Sequence, residues 1–350
     1  MSVAVIVIGF IYRGSYVNFI GSTETKVFII QSNGIRFAHL ISIIETIVRR
    51  IDQKTFYEDV REIDLIFQCS LNVNIDNGKF RQEIISRGLI MFLIYLLSVA
   101  AFLMPKFIEM DGVLAIYWIL YALPLFVCGL RYFQIFCAIT IIKRRFEQLN
   151  TVLGEVNLQR ALPIYEINER INRIYEMENP ELKRLLIIRE IYNRLWEITT
   201  IFNRAVGVSL LINLGNDFIS LTSSFYWIFL NLKSFAADSS NLLTIVANTI
   251  WTFPHIFNIL VLAVICQSTV QTTINIALAL HHTKSDILND NYNTVIEQFS
   301  LQLLHQKFAF SAAGFFNVDC TLLYTIVGAI TTYLIILIQF DMYQPPSSTD

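Results

Sequence analysis

A row of polar side chains interrupts an apolar stretch in the second half of the chain. Asn213, Asp217, Ser220 and Ser224 follow one another at intervals of four, three and four residues, which places them on one face of a helix. Their amide, carboxylate and hydroxyl groups are suited to hydrogen-bonding a small molecule. An ionisable residue such as Asp217 in an apolar helix is costly and marks a candidate functional site. A structural pair with a neighbouring helix is the alternative interpretation.

Two further groups combine aromatic rings with hydrogen-bonding groups. Trp251, His255 and Asn258 share a helical face, and Tyr117 and Tyr121 lie one helical turn apart. Together with the polar row they predict a small-molecule site that offers stacking surfaces and a few polar groups. The alternatives are aromatic residues at the membrane interface for Tyr117 and Trp251, and helix-packing polar residues for His255 and Asn258.

Residue patterns typical of enzymes and metal sites do not occur in the sequence. There is no zinc, P-loop, Rossmann or nucleophile-elbow pattern, and His281 and His282 are adjacent, so they do not share a helical face for one metal. The five cysteines are far apart and form no CxxC pair. We therefore predict no catalytic residue, no metal and no cofactor.

The composition indicates a protein that resides in lipid. Of the 350 residues, 55% are hydrophobic and 15% are charged, and the mean hydropathy is +0.54. Soluble domains carry roughly 25% charged residues. The net charge of -2 argues against a nucleic-acid partner, since phosphates favour a strongly basic face.

Seven apolar stretches are candidates for crossing a bilayer, which takes about 20 residues. They cover approximately residues 3–20, 35–48, 88–105, 112–142, 202–230, 242–279 and 321–340. The sequence thus predicts an all-α membrane protein with seven transmembrane helices.

The distribution of basic residues predicts the orientation. With the N-terminus inside, the cytoplasmic segments hold 20 Lys and Arg residues and the external segments hold 5. The N-terminus is therefore predicted to be cytoplasmic, and residues 341–350 form an extracellular tail.

Helical periodicity continues beyond the predicted membrane boundary. Pro180 is a favourable first helical residue, and a helix of about 50 residues would run from it into the fifth span. Apolar residues at helical spacing also occur in two other segments: Phe146, Leu149 and Leu153; and Ile296, Phe299, Leu303 and Phe310.

These extensions divide the chain into functional segments. Residues 1–282 are predicted to form a ligand-sensing bundle of six spans, in which residues 143–201 are a cytoplasmic helical segment. Residues 283–320 form a cytoplasmic anchor segment before the last span, residues 321–340. The alternative is amphipathic helices that lie on the inner leaflet.

The last span carries a distinctive string of residues. Thr332 and Tyr333 are followed by five hydrophobic residues and then by Gln339 and Phe340. Upstream lie Gly314, Phe315, Phe316 and Asp319. This segment of roughly 40 residues resembles the C-terminal signature of insect gustatory receptors, and the seven-span layout is similar to that family.

The resemblance implies a tetrameric ligand-gated cation channel, related to insect odorant receptors, in which the seventh span lines a central pore. The expected pore and gate residues are Thr332, Tyr333, Ile336, Gln339, Phe340 and Asp341. Ile336 and Phe340 would form the gate by excluding water, and Asp341 would contribute to an acidic ring at the outer mouth. The alternatives are an interfacial Gln339 and Phe340 and a solvated Asp341.

The implied partners are a small-molecule tastant, membrane lipid, and the same or other gustatory receptor subunits, in the plasma membrane of chemosensory neurons. A bitter or other non-volatile tastant is favoured, because the predicted pocket is rich in aromatic residues. The alternatives are a sugar-sensing or co-receptor subunit of the same family, and a receptor that signals through G proteins. The predicted orientation of the termini argues against the G-protein alternative.

Overall fold

A computed structural model describes residues 23–75, 77–109, 112–161, 180–235, 242–283 and 290–343. Within these ranges the chain forms eight α-helices and one short β-hairpin. In chain order the elements are α1 (Thr23–Val48), α2 (Arg50–Leu71), α3 (Asn77–Glu109), α4 (Gly112–Ala161), α5 (Pro180–Phe235), α6 (Leu242–His281), α7 (Asp290–His305), β1 (Ser311–Ala312), β2 (Phe316–Asn317) and α8 (Cys320–Met342).

Six of the described helices are long and apolar enough to cross a membrane: α1, α3, α4, α5, α6 and α8. The all-helical membrane fold is thereby confirmed. The predicted first span, residues 3–20, lies outside the described residues. The predicted orientation of the termini stays a prediction.

The second predicted span was placed too late in the chain. The predicted span begins at residue 35, whereas the candidate span in α1 begins at Lys26. Gln31, Ser32 and Arg36 interrupt the apolar pattern, yet all three are buried. Because α1 packs against α5, these polar side chains avoid lipid. Arg36 therefore lies within a candidate span, whereas the orientation count includes it among the five external basic residues.

The long helices that were predicted to continue beyond the membrane boundary are present. α5 runs without a break for 56 residues from Pro180, and α4 runs for 50 residues. At 1.5 Å per residue they are about 84 and 75 Å long. Both extend well beyond the roughly 30 Å of a hydrocarbon core.

The extensions pack against one another through aromatic side chains. The rings of Phe146 and Phe308 pack edge to face with a centroid distance of 4.7 Å. The rings of Tyr192 and Phe299 form the same kind of contact, with their centroids 5.6 Å apart. Phe146 and Phe299 are fully buried. One part of the prediction was wrong: α7 ends at His305, so Phe310 lies beyond that helix, in the segment that leads to β1.

α2 was not predicted from the sequence. Its buried stripe, which includes Phe56, Val60, Ile63 and Phe67 at helical spacing, is narrow and lies among charged residues. This stripe packs on α5. α2 thus adds a fourth helix to the extramembrane core formed by α4, α5 and α7.

A two-stranded hairpin connects this core to the last span. Ser311 pairs with Asn317 and Ala312 with Phe316, and the turn places Ala313 and Gly314 at φ 52° and 77°. Asp319 then caps α8, because its side chain accepts a hydrogen bond from the Thr321 amide at 2.8 Å. α8 contacts α5 and α6 and, to a lesser extent, α1.

Candidate ligand-sensing site and pore helix

A buried carboxylate links three spanning helices at the centre of the bundle. Asp217 on α5 accepts a hydrogen bond from the Tyr132 hydroxyl on α4 at 2.6 Å. Its other oxygen lies 2.7 Å from Nδ1 of His255 on α6. All three residues are at most 4% exposed. The pairing satisfies the carboxylate, which would otherwise be costly to bury.

The network continues towards α3. Tyr95 donates a hydrogen bond to Oδ1 of Asn258 at 2.8 Å, and both residues are buried. Trp251, one turn before His255, stacks against Phe102 with a centroid distance of 4.2 Å. Among the described residues, Nε2 of His255 has no hydrogen-bond partner. A buried nitrogen of this kind is available to a polar group of a ligand or to water.

The predicted small-molecule site is only partly assembled as expected. Asp217, His255, Asn258 and Trp251 come together. Asn213 instead faces α1, where its amide donates to the Ser42 hydroxyl at 2.9 Å.

Ser220 is also buried, with 2% of its surface exposed. The backbone of α4 includes Tyr117 and Tyr121, but their side chains lie outside the described residues. Tyr95 and Tyr132 are members that the sequence analysis missed, because tyrosines inside apolar runs carry no distinguishing pattern.

A second buried network joins α1, α4 and α5. Nη2 of Arg131 lies 3.0 Å from Oε2 of Glu45, and Nε of Arg131 donates to the Ser209 hydroxyl at 2.9 Å. The backbone amides of Val208 and Ser209 donate to the same carboxylate, each at 2.9 Å. Nη2 of Arg131 also approaches the Ala205 carbonyl at 3.3 Å. Both members of the ion pair therefore form hydrogen bonds with backbone groups in the middle of α5.

Neither partner of this ion pair was proposed as a functional residue from the sequence. The signal was nevertheless present, since each is an ionisable residue within an apolar stretch, the criterion that selected Asp217. What the sequence did not reveal is that two residues 86 positions apart meet.

A cavity of about 310 Å³ lies between α3, α4 and α6. Tyr132 and Asn258 form its inner wall, so it adjoins the Asp217 network. Its other lining residues are mainly apolar: Arg87, Ile90, Met91, Phe133, Phe136, Phe257, Val261 and Leu262.

α8 is unusual among the spans because so little of it is covered. Only 6% of its most apolar stretch is buried, against 67% for α5, although its mean hydropathy of 2.1 is among the highest. Thr332, Tyr333, Ile336, Gln339 and Phe340 are all exposed. The ring of Tyr333 contacts Phe218 on α5 at 5.7 Å.

The face of α8 that points away from its own bundle is partly polar. Ile330 is the buried residue that faces the bundle. At 100° per residue, Thr325, Gly328, Thr332 and Gln339 lie within about 40° of the opposite direction. Tyr333, Ile336 and Phe340 form a stripe beside that face.

Asp341 lies at the end of the same helix and has a cationic partner. Its carboxylate is 3.2 Å from Nζ of Lys233 on α5 and 3.5 Å from the Tyr226 hydroxyl. Asp341 is only partly exposed. The chain thus carries a paired carboxylate and ammonium at this end of α8.

These features define an all-helical, multi-span membrane protein with a buried polar centre and one uncovered apolar helix. A sequence model described as 7tm chemosensory receptor matches residues 1–344. The chain is 39% identical over 351 residues to gustatory receptor 2a of Drosophila melanogaster, covering 95% of this chain and 82% of that protein.

A shorter match is to gustatory receptor 68a of the same species, at 32% identity over 180 residues, which cover 50% of this chain and 44% of that protein. The chain belongs to the insect gustatory receptors of the 7tm chemosensory receptor family. It is accordingly a chemosensory receptor and not an enzyme.

A solved structure supports the fold independently. The insect olfactory receptor OR5 from Machilis hrabei, determined in complex with eugenol, superposes with a TM-score of 0.67 at 14% identity. The match covers 96% of this chain and 88% of the olfactory receptor. The two proteins share the arrangement of their helices.

Proposed function

We propose that the chain is a subunit of a ligand-gated, non-selective cation channel that detects a small-molecule tastant at the plasma membrane of chemosensory neurons. The observation that carries the proposal is α8, an apolar helix whose outer face bears Thr325, Thr332 and Gln339. The Thr325 and Thr332 hydroxyls bond to carbonyls of their own helix. The amide of Gln339 is unfavourable on a lipid-facing surface and suits a water-filled pore.

In the proposed tetramer, which is formed with the same or other gustatory receptor subunits, four copies of α8 surround the pore. Ile336 and Phe340 close it, because rings of apolar side chains exclude water from a narrow passage. Thr332 and Gln339 contact permeating cations when the pore is open. Tyr333 lies at the flank of the helix, where it contacts Phe218.

The outer mouth of the pore contains Asp341. Four carboxylates there would attract cations, as acidic rings do in other cation channels. Since Lys233 lies 3.2 Å from this carboxylate, the lysine reduces the attraction. We propose that the balance between the two residues sets the local cation concentration.

The ligand is sensed by the polar centre of the bundle. Nε2 of His255 is the group through which we propose that a ligand engages the network, and Nδ1 of the same ring transmits the change to Asp217. The next residue on α5 is Phe218, which contacts Tyr333 on α8. The path from ligand to pore helix therefore passes through two consecutive residues of α5.

A bitter or other non-volatile, largely apolar tastant suits this site, because Trp251, Phe102 and Tyr95 surround the few polar groups. A sugar-sensing or co-receptor role is the second candidate. The Nε2 nitrogen of His255, which has no partner among the described residues, favours this second candidate. The hydroxyl groups of a sugar need buried hydrogen-bond acceptors.

The test is whole-cell recording from cells that express this chain, alone and with other gustatory receptor subunits, during application of a tastant panel. A ligand-evoked cation current that persists when G proteins are blocked supports the proposal. A response that disappears when G proteins are blocked contradicts it and favours the G-protein alternative.

A further inference from the structure

The cavity between α3, α4 and α6 is separate from the Nε2 nitrogen of His255, which is not among its lining residues. Tyr132 and Asn258, both 4% exposed, form the wall between the cavity and the Asp217 network. On the other side, Ile90 is 52% exposed on the lipid-facing surface of α3. The cavity thus opens towards an exposed apolar surface of α3, and its volume of about 310 Å³ suits a small ligand.

The shape of the cavity depends on one close approach. A Cβ atom on Gly88 would lie 2.8 Å from the ring of Phe133. The absence of a side chain at this position lets the ring lie against α3 and leaves the space beside Phe136 and Phe257 open. The lining is therefore aromatic on two sides and accepts an apolar chain or ring.

One end of the cavity carries an excess of positive charge. Arg87, whose side chain is 44% exposed, pairs with Glu83, and Arg144 pairs with the other oxygen of the same carboxylate. Two guanidinium groups thus share one carboxylate, which leaves a net charge of about +1 beside the opening. Arg87 also lies over the ring of Phe136, with 5.4 Å between its Cζ atom and the ring centroid.

We propose that this cavity binds a bilayer-soluble organic anion with a single apolar chain of medium length, such as a medium-chain carboxylate. The apolar part lies against Phe133, Phe136 and Phe257, and the carboxylate forms a charge-assisted pair with Arg87. A guanidinium is well suited to this task because it presents two parallel N–H groups to a carboxylate. Bound there, the ligand contacts Tyr132 and so adjoins the proposed sensing network without occupying it.

The test is binding of tritiated decanoate to the purified full chain in phosphatidylcholine nanodiscs, with empty nanodiscs as background. Saturable binding that decanol, the uncharged analogue, displaces only weakly is expected. R87Q should weaken decanoate binding roughly ten- to a hundredfold, the loss expected for one charge-assisted bond. R87K, which keeps the charge, should lose less.

V261F, which fills the cavity with a ring, should abolish binding of decanoate. R204Q is the matched control, since Arg204 is an exposed arginine that is paired with Asp52 away from the cavity. Size-exclusion profiles establish that each variant is folded. Undiminished binding to R87Q or V261F would overturn the proposal, and so would full displacement by phosphatidylglycerol, which would assign the site to phospholipid. The binding assay does not depend on channel current. A failure of the cavity proposal can therefore be distinguished from a failure of the channel proposal.

Discussion

Nδ1 of His255 lies 2.7 Å from Oδ1 of Asp217, and this contact joins α6 to α5 inside the membrane. The neighbour of Asp217 along the chain, Phe218, meets Tyr333 on the proposed pore helix. His255 contacts Asp217, and the next residue, Phe218, contacts α8. A change at His255 is therefore separated from α8 by two consecutive residues of α5. This geometry is the route by which the proposed ligand contact would influence the proposed gate.

Replacement of His255 by Ala should shift the ligand dose-response curve. The substitution removes the proposed ligand contact and leaves Asp217 with Tyr132 alone, so we expect the half-maximal concentration to rise about tenfold or more, as for a buried hydrogen bond worth roughly 1–3 kcal/mol. Whole-cell recording measures the shift, and surface labelling checks expression. T222A is the control, because the Thr222 hydroxyl, within the part of the chain that the structure describes, bonds the Phe218 carbonyl of its own helix and no group of the proposed ligand site. An unshifted curve would refute the sensing role.

The Glu45–Arg131 pair should be important for stability. Removal of one partner leaves a buried charge without its counter-ion, which typically costs about 3–5 kcal/mol. We therefore expect R131A to lower the melting temperature and the surface expression sharply, and the double variant E45Q/R131M to recover part of both. Thermal melting followed by size-exclusion chromatography measures the effect.

The control for that experiment is the exposed pair of Lys54 and Glu58 on α2, which are 3.4 Å apart. An exposed pair contributes about 0–1 kcal/mol, so K54A should melt within a few degrees of the parent chain. Equal melting temperatures for R131A and K54A would show that the buried network does not hold the three helices together.

A single methyl group at Gly207 should disturb the link between the bundle and the pore helix. A Cβ atom there would lie 2.9 Å from the backbone nitrogen of Ala313 in the hairpin. G207A must therefore displace the hairpin that leads to α8, and we expect a loss of most ligand-evoked current. G215A is a matched control on the same helix, because a Cβ atom at Gly215 meets nothing within 4 Å. Equal currents from the two variants would contradict this account.

The pair at the end of α8 should influence conductance in opposite directions. D341N removes the carboxylate and leaves Lys233 unbalanced, so the unitary inward current should fall at low ionic strength. K233Q frees the carboxylate, so the current should rise. Both effects should fade at high salt, because screening weakens exposed charges. Single-channel recording measures both effects. Unchanged conductance in both variants would show that Asp341 does not lie at the pore mouth.

Local composition was sufficient to predict most of the fold. The continuous helix from Pro180 through the fifth span follows from a capping pattern and an unbroken period, both of which are properties of neighbouring residues. The last span could be recognised by its string from Thr332 to Phe340. α2 and the early start of α1 could not be predicted from the sequence. Both contain polar residues that become acceptable only because the helix packs on α5, and a local sequence pattern does not show such packing.

The candidate site was less accessible to prediction for the same reason. Asn213 and Asp217 share a helical face, yet they pair with different neighbours, Ser42 on α1 and Tyr132 with His255 on α4 and α6. Helical spacing assigns a face, whereas the choice of partner depends on which helix packs there. Tyr95 acquired its role only through its contact with Asn258, 163 residues away.

The central claim is that the uncovered face of α8 lines a cation pore, and cysteine accessibility at Gln339 tests it most directly. Cells expressing Q339C are exposed to an impermeant, positively charged thiol reagent from outside while ligand-evoked current is recorded. The parent chain and I330C, in which the cysteine faces the bundle, are the controls. The account predicts rapid, irreversible block of Q339C and little change in either control. Uninhibited current through Q339C, with surface labelling of that cysteine verified, would contradict it.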